Sequence, residues 1–269
     1  MDIQGKTALV TGASRGIGRA IAISLAKQKA KRLLLVARNR QSLAEVAAEI
    51  EELGTEAVIL PLDLTQIVEV NIAIAQAWRD YGAIHLLINC AGVAHQTAFL
   101  ESKLSDVQEE LETNLIGMYS ITRLIARRMV TQHQGVIVNV SSLMGKVAAP
   151  TMATYSATKF AIVGFTQALR GELASHNIRV LGLLPSLTDT DMVRDLKWFR
   201  WIQPMTTEQV ANALITGLQQ ESPEILVGWQ SHLAVWCNRI APWLLEKILL
   251  ISAPLPPVRR KYYQQLRKA

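Results

Sequence analysis

Residues 7–18 read Thr7-Ala8-Leu9-Val10-Thr11-Gly12-Ala13-Ser14-Arg15-Gly16-Ile17-Gly18, and this stretch decides the fold. Its apolar start is continuous rather than alternating, the pattern of a strand buried on both faces. A turn spaced by glycines follows, then a helical pattern through Ile21, Leu25 and Ala26. Strand, glycine loop and helix in that order make an anion cradle. Glycine lets the backbone turn tightly and lets a phosphate approach, and the helix start offers unpaired N–H groups and the positive end of its dipole. The spacing is GxxxGxG, which departs from the dinucleotide pattern GxGxxG and from the phosphate loop GxxxxGK[ST]. Taken alone the motif also fits a ligand-free strand-to-helix turn.

The rest of the chain repeats the alternation. Apolar runs at 33–37, 57–62, 84–88, 135–140, 178–184 and 224–228 read as further buried parallel strands, with amphipathic helix-length segments between them. No internal repeat, low-complexity tract or Pro/Gly-rich linker precedes Pro254. At 269 residues this predicts one α/β domain, a doubly wound parallel sheet of about seven strands. The expected boundaries are 1–228 for that domain and 229–269 for an apolar, then basic, C-terminal helical extension packed on or beside it.

Tyr155 and Lys159 sit four residues apart in YSATK. On a helix these positions share a face, so a phenol and an ammonium can reach the same point. A free tyrosine has a pKa of about 10 and is a poor acid or base at neutral pH until a nearby cation favours its phenolate. The spacing predicts that Lys159 is that cation. The same pair also occurs on many surface helices, so the rest of the chain must decide.

TGASRGIG at residues 11–18, NCAG at 89–92, Asn114 in TNLIG, Ser142 in NVSS and YSATK at 155–159 resemble, in order and spacing, the signature of the short-chain dehydrogenase/reductase family, over about residues 5–228. Two positions depart from the family pattern. Cys90 stands where a second Asn is usual, and Ser186 stands where Pro185 is usually followed by Gly. The resemblance implies a Rossmann-like fold, a redox enzyme acting on the CH–OH group, and a catalytic set of Asn114, Ser142, Tyr155 and Lys159. In it Tyr155 gives the proton, Lys159 lowers the tyrosine pKa and holds the nicotinamide ribose, Ser142 bonds the carbonyl oxygen, and Asn114 holds a water for proton resupply. Ser141 competes with Ser142, but the spacing favours the latter, leaving Ser141 as a strand-end hydroxyl bonded to backbone.

Cofactor preference follows from charge. An acid at the end of the second strand suits the ribose 2′-OH of NAD, and arginine suits the 2′-phosphate of NADP. Here Ala37 takes that place and Arg38 follows, with Arg15 in the glycine loop. Two guanidinium groups on one dianion make a geometrically specific clamp, so NADP(H) is expected. The remaining cofactor contacts implied are Gly12, Ser14, Gly16, Ile17 and Gly18 in the loop, Asp63 and Leu64 at the adenine, Asn89, Ala91 and Gly92 on the adenosine side of the nicotinamide pocket, Tyr155 and Lys159, and Pro185, Thr188 and Thr190 beneath the nicotinamide.

Two cysteines give no disulfide framework and favour a reducing compartment. The first strand begins close to Met1, which predicts no secretory leader and a cytoplasmic protein. The five histidines show no metal-ligand spacing, and no metal is expected. Nucleic acid binding has no motif behind it.

Substrate character is read from two regions. Met192 to Met205, with Trp198, Phe199, Trp201 and Ile202, stands where the family folds a lid, and its aromatic and thioether groups predict a large apolar carbonyl or alcohol substrate, or a subunit contact. Residues 229–269 hold Leu233, Trp236, Ile240, Trp243, Ile248 and Ile251, interrupted by Arg239, Pro242, Glu246 and Lys247, too broken to span a bilayer. Beyond them Arg259, Arg260, Lys261, Arg267 and Lys268 carry five of the net charge of +6. The stretch 233–268 is therefore read as a peripheral membrane contact, a substrate-entry element or an oligomer contact. Family resemblance adds a homo-oligomer, dimer or tetramer. Three functions stay open: reduction of an apolar ketone by NADPH (long-chain 3-oxoacyl, sphingoid-type or steroid-like), soluble 3-oxoacyl carrier-protein reduction, and NADP binding without turnover.

Overall fold

A computed structural model describes residues 1–254 except Asp195, Trp198 and Trp201. Of the residues singled out above, Trp198, Trp201 and the basic run from Arg259 to Lys268 therefore lie outside the described residues. Among the described residues, seven strands form one sheet: β1 (Thr7–Thr11), β2 (Arg32–Ala37), β3 (Glu56–Pro61), β4 (Leu86–Asn89), β5 (Gly135–Val140), β6 (Ile178–Leu184) and β7 (Glu224–Leu226). Their order is β3-β2-β1-β4-β5-β6-β7 and every pairing is parallel. Chain direction across the sheet reverses between β1 and β4, and such a switch point opens a crevice at the carboxyl ends of the strands.

Why the strands read as unbroken apolar runs is visible in the packing. In β1 and β2, Ala8, Val10, Leu33 and Leu35 join the core beneath α1 (Gly16–Lys27), α2 (Arg40–Glu52) and α8 (Thr207–Gln219). Their neighbours Leu9, Leu34 and Val36 join the opposite core beneath α3 (Ile67–Tyr81), α5 (Met118–Gln132) and α6 (Ala153–Leu173). Each fully buried Leu or Ile contributes roughly 1.5–3 kcal/mol, so both faces must stay apolar. The edges differ, as expected of strands covered less completely: β3 is half-buried along its middle, and β7 has only three residues.

The remaining helices place the site. Between α4 (Leu104–Leu111) and α5 the helix widens into a π turn at Glu112–Gly117, which carries Asn114. A short α7 (Asp191–Arg194) starts the lid, and α9 (Trp229–Ile240) and α10 (Pro242–Ser252) follow β7. Asn238 Nδ2 on α9 donates to Lys146 O at 3.0 Å, tying this pair of helices to the loop after β5.

Candidate active site

The crevice at the switch point is a cleft built largely of backbone. Gly12, Ser14, Arg15, Gly16, Ile17 and Gly18 line it from the first loop, Ala37 and Arg38 from the end of β2, Asp63 and Leu64 from the end of β3, and Ala91 and Gly92 from the end of β4. Gly12 has φ +69°, and a Cβ there would lie 2.9 Å from the Ala91 backbone. At Gly18 a Cβ would meet Gly12 O at 2.2 Å. No side chain fits at either position, so the loop and the β4 end close to a distance that only glycine permits. Thr11 Oγ1 holds that closure by accepting from Cys90 N at 3.0 Å and Ala91 N at 3.1 Å. Asp63 Oδ1 accepts from Thr65 N and Thr65 Oγ1, both at 2.9 Å, which leaves its second oxygen available to a ligand. Arg38 is exposed and only loosely paired with Glu109, at 3.9 Å.

At the inner end of this cleft sits the Tyr155 and Lys159 pair, on the first two turns of α6. Lys159 is buried, donates to Val140 O at 3.2 Å, and lies 5.4 Å from the centroid of the Tyr155 ring. Burial brings its pKa down to about 8. Burial likewise pushes the Tyr155 phenol up to about 12, with a hydrogen bond to Ser142 pulling the other way. This corrects the expectation that Lys159 lowers the tyrosine pKa: in the protein alone, the ammonium sits beside the ring and on a backbone carbonyl, and desolvation outweighs it. Ser142 Oγ also accepts from Met144 N at 3.1 Å, which fixes its rotamer, whereas Ser141 Oγ donates to Lys159 O at 2.9 Å, the backbone role expected of it.

A second cleft meets the first at Tyr155. Ser142, Pro185, Ser186 and Thr188 form its floor beside Tyr155, and Ala94, Leu143, Met144, Met152, Leu187 and Leu196 make its walls apolar. Ile17, Thr190 and Met192 line both clefts. The roof is the lid, of which Met192, Val193, Leu196, Lys197, Phe199 and Ile202 line this cleft. Its base is pinned by Met205 N donating to Leu187 O at 2.8 Å and Asp189 N donating to Met205 O at 2.9 Å. Phe199 is buried against Met152 and Ala253, with Tyr155, Leu196 and Ile202 packed on the same cluster. Across the mouth, Gln96 holds Lys197 by both ends of its amide: Nε2 donates to Lys197 O at 2.9 Å and Oε1 accepts from Lys197 N at 2.7 Å.

Some residues singled out from the sequence stand elsewhere than expected. Asn89 does not line the cleft. It turns into the body, where Nδ2 donates to Thr122 Oγ1 and Asn139 Oδ1, both at 2.8 Å, and Asn139 in turn donates to Thr166 at 2.9 Å. Cys90 lines the cleft instead, its thiol pushed up to about 12 by burial and hence unreactive. Asn114 flanks Gly92 together with Lys159, but its side chain is a strut: Oδ1 accepts from Val93 N at 2.8 Å, and Nδ2 donates to Val93 O at 2.9 Å and Thr158 Oγ1 at 3.2 Å. Both amide hydrogens are thus used on protein. Pro185 and Thr188 belong to the second cleft, and the Thr188 hydroxyl donates to Ser186 O at 3.0 Å. Gln96 was missed altogether; its partner is 101 residues away, and no local pattern marks it.

Residues 6–200 match the family described as short chain dehydrogenase. A 3-oxoacyl-[acyl-carrier-protein] reductase of Synechocystis is 35% identical over 72% of this chain and 78% of its own length. The ketoacyl reductase HetN of Nostoc is 32% identical over 91% and 88% respectively. Among solved structures, a short chain dehydrogenase from Burkholderia cenocepacia in complex with NADP superposes with a TM-score of 0.81 at 29% identity, covering 93% of this chain and 99% of that one.

Proposed function

The chain belongs to the short-chain dehydrogenase family of oxidoreductases, and we propose that it uses NADP(H) to interconvert a ketone and a secondary alcohol on an apolar substrate. The single observation that carries this reading is the junction: Tyr155, with Ser142 beside it in the second cleft and the Lys159 ammonium beside its ring, lines both a glycine-walled cleft and an apolar one. A protein that merely bound the dinucleotide would need only the first.

When bound, NADPH supplies the hydride. The residues fit it. The glycine loop and the start of α1 would receive its pyrophosphate, Arg15 and Arg38 its 2′-phosphate, the second Asp63 oxygen its adenine amino group, and the Lys159 ammonium its ribose hydroxyls. Ser142 donates to the substrate carbonyl oxygen and polarises it. Tyr155, kept protonated by burial, gives its proton to that oxygen as negative charge develops. Asn114 ties the loop at Gly92 to α6, and so keeps the two clefts in register.

On the lid Arg194, Lys197 and Arg200 are exposed, Lys197 lining the apolar cleft and Arg194 pairing with Asp191 at 2.6 Å. This supports a second reading, a 3-oxoacyl thioester on an acidic carrier protein. Exposed Phe99, Leu100, Leu104, Ile116 and Tyr119 around α4 and α5 support a homo-oligomer. The test is NADPH oxidation with 3-oxoacyl thioesters of increasing chain length, free and carrier-linked, and with bulky ketones, NADH in parallel. Turnover rising with chain length and a clear NADPH preference, reduced about tenfold or more in Arg38→Ala, is expected. Turnover confined to short polar carbonyls would refute the apolar substrate.

A further inference from the structure

Helix α9 carries Trp229, Leu233, Trp236 and Ile240 on one stripe, and α10, packed against it, exposes Trp243 and Ile248. The three tryptophans are 70%, 61% and 61% exposed. A contiguous apolar surface of this kind is a docking face in a folded protein. Its surroundings are basic. Arg239 is exposed, the Lys247 ammonium lies 5.5 Å over the Trp243 ring, Glu246 is the one acid on the two helices, and the sequence 255–269 adds five Lys/Arg and no acid. A second copy docking here would bring like charges together. Tryptophan with flanking Lys and Arg is instead the composition that settles at the headgroup level of a bilayer.

We propose that the α9–α10 face docks flat on an anionic lipid surface. Among the described residues no helix is long and apolar enough to cross a membrane, so the contact lies in the interface plane. The end of α10 also touches the lid: Arg200 N donates to Ser252 O at 3.1 Å, and Ala253 packs with Phe199 and Met152. Docking therefore brings the roof of the apolar cleft to the lipid, where an apolar substrate enters without crossing water. That last step rests on the proposed apolar substrate; the docking does not, and is measured without turnover.

The experiment is co-sedimentation of the full chain with vesicles of phosphatidylcholine containing phosphatidylglycerol, against phosphatidylcholine alone, at low and high salt. Binding to the anionic vesicles is expected, weakened by salt. The combined variant Trp229→Ser, Trp236→Ser and Trp243→Ser should lose roughly tenfold or more in partitioning while its NADPH titration, which reports the fold, is unchanged. Arg239→Glu with Lys247→Glu should lose binding to the anionic vesicles selectively. Wild type remaining in the supernatant with both vesicle types, or a triple variant that binds as wild type does, overturns the proposal. So does a triple variant of lower oligomeric order in sedimentation velocity when the wild type ignores lipid, which assigns the face to a second copy.

Discussion

The two clefts that meet at Tyr155 are built by different means. The nucleotide cleft is closed by backbone: strand register places the ends of β1, β2, β3 and β4 side by side, and Gly12 and Gly18 let main chain touch main chain. Among the described residues, the substrate cleft is roofed by a lid held by a two-residue ladder at its base, the Gln96 amide at its tip, Arg200 N on Ser252 O of α10 and Gln203 N on Gln230 Oε1 of α9. A wall of backbone has no side chain to exchange, whereas a roof of side chains can change its contacts while the chemistry below stays put. The first cleft should therefore answer substitution with loss of function, and the second with a change in substrate affinity.

The strongest test of that contrast is at the junction. Tyr155→Phe removes the proposed proton donor but no wall of either cleft, so turnover should fall about 10²–10⁴-fold while NADPH still binds, as steady-state rates and a fluorescence titration would show. Unchanged turnover would remove the mechanism.

An intermediate effect is expected from Lys159, whose pKa is lowered from 10.5 to about 8 by burial. Cofactor affinity should decline as pH rises through about 8, where the ammonium loses its proton. Stability should move oppositely. Between pH 8 and 10.5 the unfolded chain binds a proton that the folded one does not, so stability rises with pH across that window. Lys159→Met should abolish both dependences, which denaturant unfolding at several pH values can read. Tyr155 acts with the other sign, its folded pKa of about 12 lying above 10, and lowers stability only above pH 10. A wild-type curve parallel to that of Lys159→Met from pH 8 to 10 would contradict the burial of the charge.

The smallest effect separates the roof from the floor. Gln96→Ala releases the lid tip without touching a reacting group, and should raise KM roughly three- to tenfold, the worth of two partly exposed hydrogen bonds, with kcat within about twofold. Faster proteolysis within residues 190–204 should accompany it. A fall in kcat alone would place Gln96 in the chemistry instead of the roof.

Most of the cofactor half was legible because its signals are local. Thr11 to Gly18 is one contiguous loop, and the i, i+4 spacing of Tyr155 and Lys159 survives folding unchanged because a helix maintains it. Side-chain direction was less accessible. Asn89 sits in a motif that points to the cleft, yet its amide is drawn inward by Thr122 and Asn139, on α5 and β5, and no spacing in the NCAG stretch announces either partner. Asn114 likewise finds its partners at Val93 and Thr158, far along the chain.

What the sequence by itself determined is the parallel sheet, the glycine loop between its first strand and first helix, and the shared helix face of Tyr155 and Lys159, because these follow from residue periodicity and from short spacings on single elements. Only the tertiary structure decided the ionisation of Tyr155 and Lys159, the inward turn of Asn89, the Gln96 latch and the exposure of the α9–α10 tryptophans. Desolvation, partner choice and exposure all depend on what distant segments bring to the same place, and that is not written at any one position of the chain.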